Sequence, residues 1–177
     1  MRHLPPIAAG LLAALSASPV AQGQSAAGAN IAEDIGSWRL GCVVDRMTDR
    51  PTCELRHKDW VERPSGSPGL ALEILWRDGR ALPAVTARNL SLDGAMRGVL
   101  ALTGSAQIRF DTNPMAEMPC ALEGRSLICA PRAADAARLS EELSRARRVL
   151  IRMAGMGASG SEPAELPLTD SRAAAER

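Results

Sequence analysis

The four cysteines fall into two short-range pairs, and each pair is laid out like the two arms of a hairpin. The stretch from Met118 to Arg132 reads M-P-C-A-L-E-G-R-S-L-I-C-A-P-R. Cys120 and Cys129 flank Glu123-Gly124-Arg125-Ser126, a turn-forming group with apolar residues on both sides. Cys42 and Cys53 bracket the turn-like Asp45 to Pro51 in the same way. Spacing favours local pairing, Cys42 with Cys53 and Cys120 with Cys129. The alternative is a bridge between the pairs, joining two sheets. Facing strands would bring each local pair to the common Cα separation of about 5.5–6 Å. On the chain-entropy model, loops of this size stabilise by about 2.5–3 kcal/mol each.

Bridges of this kind need an oxidising compartment, and the N-terminus carries a matching address. Residues 1–23 have the pattern of a signal peptide. Arg2 supplies the positive region, Ile7 to Ala17 is apolar apart from Gly10 and Ser16, and Ala21-Gln22-Gly23 places small residues around a cleavage site before Gln24. The apolar run is shorter than the roughly 18 residues that mark a membrane-spanning helix. The competing reading is an alanine-rich tail with no targeting role. The expectation is a periplasmic or secreted protein with no stable membrane insertion after cleavage.

The signal contributes one of the 21 basic residues and none of the 20 acidic ones, so the mature chain is neutral. A neutral domain has no global field to draw it to nucleic acid or an anionic membrane. No nucleic-acid partner is expected. About 154 residues remain, enough for one domain with a real core. Its aromatic residues are only Trp38, Trp60, Trp76 and Phe110, so aliphatic side chains must fill that core.

Residues 24–36 are small and polar, and are expected to be a flexible lead-in. Ser37 to Val44 places Trp38, Leu40 and Cys42 on one face at period two, the pattern of a half-buried strand. Thr52 to His57 alternates likewise, and His57 is expected on its exposed face. Arg63 to Gly69 is a loop. Leu70 to Trp76 puts Leu70, Leu72, Ile74 and Trp76 on one face, and Asp78-Gly79 marks a tight hairpin. Pro83 demotes the return strand, Ala81 to Thr86, to an edge. Asp93-Gly94 and Thr103-Gly104 suit further turns around strands at Val99 to Leu102 and Gln107 to Phe110. Asp111 to Glu117 is expected to be a loop.

One helix is predicted from Arg132, with Ala136, Leu139, Leu143, Ala146 and Leu150 at helical spacing. Pro131 suits its first position, and Glu141 pairs with Arg145. Val149 to Met153 is a strand, Leu166 to Leu168 pairs back on it, and residues 170–177 are a frayed tail.

Several chemistries find little support. The cysteine spacings exceed those of a zinc knuckle, and His57 is the sole histidine after the signal. No C-x-x-C marks a redox centre. Gly155, Gly157 and Gly160 spell G-x-G-x-x-G, but no helix start follows, so a loop is the better reading than a dinucleotide site. A nucleophile with its base and orienter is not found. Glu141 and Glu142 lie on a solvated helix face. Arg145, Arg147 and Arg148 suit a helix C-terminus better than a polyanion site. No catalytic, cofactor or metal residue is assigned.

The order of features resembles the invasion-associated locus B family of bacterial extracytoplasmic proteins. A signal peptide precedes W-R-L-G-C at Trp38–Cys42, and a second cysteine follows a polar turn. Hairpins lead to Q-I-R-F-D at Gln107–Asp111, then to M-P-C and L-I-C-A around the second pair. A helix, an apolar strand and Leu166-Pro167-Leu168 close the series. The resemblance runs from about Ser37 to Leu168, and departs in the loop Asp59 to Gly69 and the spacing of the second pair. It implies a β-sandwich-like fold with a late helix, an extracytoplasmic location and, for some members, a link to entry into host cells. It supplies no catalytic residues.

The expected protein is a mainly β, antiparallel β-sandwich or barrel-like domain spanning residues 37–169, with one helix near its C-terminal end and two disulfides. Cys42, Cys53, Cys120, Cys129 and the core aromatic Trp38 are its structural residues. Its expected role is non-enzymatic: binding or protecting an envelope component, or contacting a host surface. The alternatives are a periplasmic hydrolase with an unassigned carboxylate site and a structural envelope protein. N-terminal sequencing of the exported protein should begin at Gln24. Protein retaining Met1 in the cytoplasm would remove the basis for export.

Overall fold

The computed structural model describes residues 31–65, 69–90, 104–154 and 162–177. Within them run β1 (Ile31–Ile35), β2 (Trp38–Val44), β3 (Pro51–Glu62), β4 (Leu70–Arg77), β5 (Arg80–Ala87), β6 (Ser105–Phe110), β7 (Ala116–Glu123), β8 (Ser126–Cys129), α1 (Ala133–Arg145), β9 (Arg148–Ala154), β10 (Ala164–Pro167) and α2 (Ser171–Ala175). The expected signal peptide, the turn at Asp93-Gly94, the strand Val99 to Leu102 and the glycine motif at 155–160 lie outside the described residues.

Ten strands form one antiparallel sheet in the order β1-β2-β3-β4-β5-β8-β7-β6-β9-β10. Its turns follow from local chemistry. Asp78 and Gly79 both have positive φ, 51° and 71°, and join the facing residues Arg77 and Arg80, as a two-residue type I′ hairpin requires. Gly124 supplies the positive φ of the Gly124-Arg125 turn between Glu123 and Ser126. Period-two alternation buries one side of the outer strands, while β4 and β5 are buried on both sides for most of their length. Trp38, Leu55, Leu72, Val85, Ile108, Met118, Leu127 and Ile151 meet in a single core.

Both disulfides are local to one hairpin. Cys42 faces Cys53 at a Cα separation of 4.0 Å, and Cys120 faces Cys129 at 3.9 Å. Both pairs are closer than the expected 5.5–6 Å. They match the narrow, non-hydrogen-bonded position of an antiparallel ladder. Cys120 shows this directly, because its N–H turns to Gly104 O on the β6 side. The second bridge belongs to the main core. The first does not: Cys42 is buried, but Cys53 is exposed where the β2–β3 arm projects beyond the core.

Several expectations change. Residues 31–35 of the expected lead-in form a strand, because Ile31 to Ile35 pair with Cys42 to Trp38. β5 lies between β4 and β8, not at an edge. Pro83 is tolerated there because β8 pairs only with Val85, Thr86 and Ala87. The predicted helix ends at Arg145, and Leu150 belongs to β9. Arg132 is its N-cap, so Pro131 stands before the helix. At its far end, Asp111, after β6, accepts from the N–H groups of Arg147 and Arg148 at 3.2 Å and turns the chain into β9. Ala136, Leu139 and Leu143 make the buried helix face as expected.

A further change concerns the C-terminus. Instead of a frayed tail, residues 171–175 form α2, with Ser171 and Ala174 buried. The curled sheet brings β10 back to β2 and β3. Ser37 N–H donates to Thr169 O at 3.3 Å, and Thr169 N–H donates to Ser37 Oγ at 3.0 Å. Trp38, wholly buried, donates its indole N–H to Ser171 Oγ at 3.1 Å. His57 packs edge-on against Trp38 with centroids 5.4 Å apart. It is fully buried, not exposed, because the backbone serves both ring nitrogens. Nε2 lies 2.7 Å from Pro167 O and must donate, and Nδ1 accepts from Asp59 N–H at 3.0 Å. Gly36 lets the chains meet: its φ is 54°, and a β-carbon there would lie 2.5 Å from Thr169 O.

Ser171→Ala should leave the buried indole N–H without its acceptor and lower stability by about 1–3 kcal/mol. Urea unfolding measures this, and an unchanged midpoint would mean that α2 is not docked.

Candidate binding groove

The outward side of β2 and β3 is the other half of the alternation that builds the core. Arg39, Gly41 and Val43 point away from the Trp38 side of β2, and Glu54 and Arg56 from the Leu55 side of β3. The register sets Arg39 opposite Arg56 and Gly41 opposite Glu54. On the other flank Arg56 faces Glu73 of β4. The result is a groove of about 430 Å³, lined by the small or apolar Ala32, Gly41 and Val43 and by the polar Arg39, Thr52, Glu54, Arg56 and Asn89. Gly41 keeps the floor open, since a β-carbon there would have nothing within 4 Å.

Each charge on this face has a different environment. Arg39 Nε bonds Asp34 at 2.9 Å, and Lys58 Nζ reaches the same carboxylate at 3.2 Å. The hydrogen bond from Arg39, then that from Lys58, holds the Asp34 carboxyl below its ordinary value, and Asp34 holds Arg39 above its own. Arg88 forks onto Glu73, with Nη2 at 2.5 Å and Nε at 3.2 and 3.3 Å. Glu73 is buried, and its hydrogen bond raises the Arg88 guanidinium above its usual value. Glu54 stands 3.8 Å from Arg88 and separates the groove from a neighbouring hollow lined by Glu73, Trp76, Arg77 and Glu123.

Arg56 is the exception. Its guanidinium lies over the Trp60 ring at 4.3 Å. Its Nη1 is buried with no hydrogen-bond partner, and no carboxylate pairs with it among the described residues. Across the β2 ladder it faces Arg39, a like charge that costs stability, and on the β4 side Glu73 is held by Arg88. Trp60 lies four residues on from Arg56 in the same strand, so alternation sets both on the outward face, and the register shift between them leaves that parity unchanged.

The residues expected from sequence sit elsewhere. Trp38 and the second disulfide are in the core, and of the first bridge Cys42 borders the groove. The alternation of β2 and β3 already implied that Arg39, Gly41, Glu54 and Arg56 share a face. The same alternation, carried on to Trp60, places its ring on the face of Arg56. Among the described residues, no three His, Cys, Asp or Glu side chains converge to hold a metal ion, and no helix is long and apolar enough to cross a membrane. No protein-family model, no curated protein and no solved structure matches the chain.

Arg88→Met should strand Glu73 as a buried, unpaired carboxylate and cost about 3 kcal/mol, the low end for a broken buried pair because Arg88 is partly exposed. Chemical denaturation tests this; a loss no larger than that of a surface substitution would count against the pairing. The Asp34 pair should depend on pH in a defined direction. A lowered folded-state value makes its contribution full above the ordinary carboxylate range, near 4, and lost as pH falls through the folded value. The difference in melting temperature between wild type and Asp34→Asn should therefore be present at neutral pH and shrink as pH falls below the ordinary carboxylate range. A difference independent of pH would show that charge is not its source.

Proposed function

We propose that this chain is an exported, non-enzymatic binding domain of the invasion-associated locus B kind, and that the groove on β2 and β3 holds a component of the envelope or of a host surface. The groove is the observation that carries the reading. It is open, partly apolar and of a size that suits a small ligand or a few side chains of a larger one. It lies on strands fixed by a disulfide and by the docked C-terminus, a rigid platform of the kind that favours binding without reorganisation.

Export is supported by Arg2, the Ile7 to Ala17 run and the Ala21 to Gly23 site, together with two disulfides that an oxidising compartment would preserve. The family reading is supported by the order of W-R-L-G-C, Q-I-R-F-D and the second cysteine pair. Two of those motifs have structural work in the fold: Trp38 anchors the C-terminus, and Asp111 turns α1 into β9.

Binding spreads its energy over a few anchors in one patch, whereas catalysis concentrates on the reacting groups. A photo-crosslinking side chain at exposed Val43 of the exported protein should capture a discrete envelope or host-surface partner. Gly41→Trp, whose β-carbon would have nothing within 4 Å, should fill the groove and abolish the adduct while circular dichroism shows the protein still folded. Adducts unaffected by Gly41→Trp would remove the groove from the function. A single carboxylate substitution that abolished the phenotype of a fully folded protein would replace the binding reading with the hydrolase.

A further inference from the structure

We infer that the groove recognises a monoanionic carboxylate joined to a small apolar group, with Arg56 as the primary anchor. This deepens the binding reading and rests on it. Arg56 is a cation held in place before any ligand arrives. Trp60 stacks on its guanidinium at 4.3 Å, which fixes the plane of the fork. One of its donor nitrogens is buried with no acceptor. The guanidinium also lines the groove, so a carboxylate entering there meets its remaining donors.

The surroundings narrow the class of anion. Arg39 faces Arg56, so a negative charge between them relieves the repulsion of two facing cations. Asp34 already neutralises much of Arg39, so the rim offers little more than one free positive charge. Glu54 stands on the same rim. A dianionic phosphate would meet that carboxylate with too little cation to balance it; a single carboxylate, matched to a guanidinium fork, fits. Ala32, Gly41 and Val43 then offer an apolar floor to the attached group. A peptide C-terminus and a free organic acid share this chemistry.

Two probes separate those sources: N-acetyl-leucine, which mimics a peptide end, and hexanoate, which has no amide. Each is titrated into the full mature protein, with binding followed through the Trp60 indole N–H and the Gly41 amide by NMR. At least one carboxylate should shift both signals, while N-acetyl-leucinamide should not. Binding of N-acetyl-leucine alone assigns peptide ends, and comparable binding of both assigns organic acids generally. Arg56→Gln should weaken binding by roughly 10- to 100-fold, the range for a hydrogen bond to a charged group. Asp34→Asn, which frees Arg39, should strengthen it, and Gly41→Trp should abolish it. Binding of the amide as tightly as the acid, or carboxylate binding that survives both Arg56→Gln and Gly41→Trp, would overturn the inference. So would the absence of shifts with either carboxylate. If the Val43 adduct still depended on Gly41 in that case, the binding reading would stand while its carboxylate specificity fell.

Discussion

The contact between Trp38, His57 and the C-terminal segment is where the curled sheet meets itself. The strands are ordered from β1 to β10, and among the described residues no ladder joins those two. What brings the ends together is a small polar group of contacts inside an apolar core: indole to Ser171, imidazole to Pro167, and Ser37 to Thr169. Each buried polar atom in it has a partner, so burial gains apolar contact without stranding donors. Without it, Leu166, Leu168 and Ala174 would lose their place in the core.

That closure also shapes the outer face. Trp38 and Leu55 can be buried only if Arg39 and Arg56 point outward, because a strand has period two. Trp60, four residues on from Arg56, lies on the same outward side, and β3 stays paired with β4 through the register shifts beyond Arg56. The rim therefore consists of residues that the core excludes, set at distances fixed by the ladder. The neighbouring charges are largely spoken for, Arg39 by Asp34 and Arg88 by Glu73, and Arg56 is left with an aromatic ring instead of a carboxylate.

The two disulfides contribute unequally to this arrangement. Cys120 and Cys129 lie within the core, and tie the short strand β8 to β7 at the junction between the two halves of the sheet. Cys42 and Cys53 staple an arm whose tip is exposed, as Met47 in its turn shows. Asp45 organises that turn, accepting from Met47 N–H at 2.7 Å through its side chain. The first bridge thus stabilises the end of the groove, and the second the body of the protein.

Local chemistry was enough to determine a great deal from the sequence by itself. Alternation marked β2 and β4, Asp78-Gly79 and Gly124 marked two turns, and cysteine spacing marked which thiols face each other. These depend on neighbours in the chain and on a fixed period, so they can be seen without the fold. Tertiary structure decided the rest. His57 is polar and was assigned to solvent, yet its parity with Leu55 put it inside, and the carbonyl of Pro167, distant in sequence, made that burial tolerable. Residues 170–177 carry little apolar pattern, and become ordered only because Trp38 offers a donor to Ser171 and Trp76 a donor to Ala175 O. β1 has no strand signal strong enough to stand alone, and exists through its ladder with β2. The groove lies between these limits: alternation implied its face and the placing of Trp60 beside Arg56, but its open floor and its unpaired arginine depend on register, and register is set by the packing of the whole sheet.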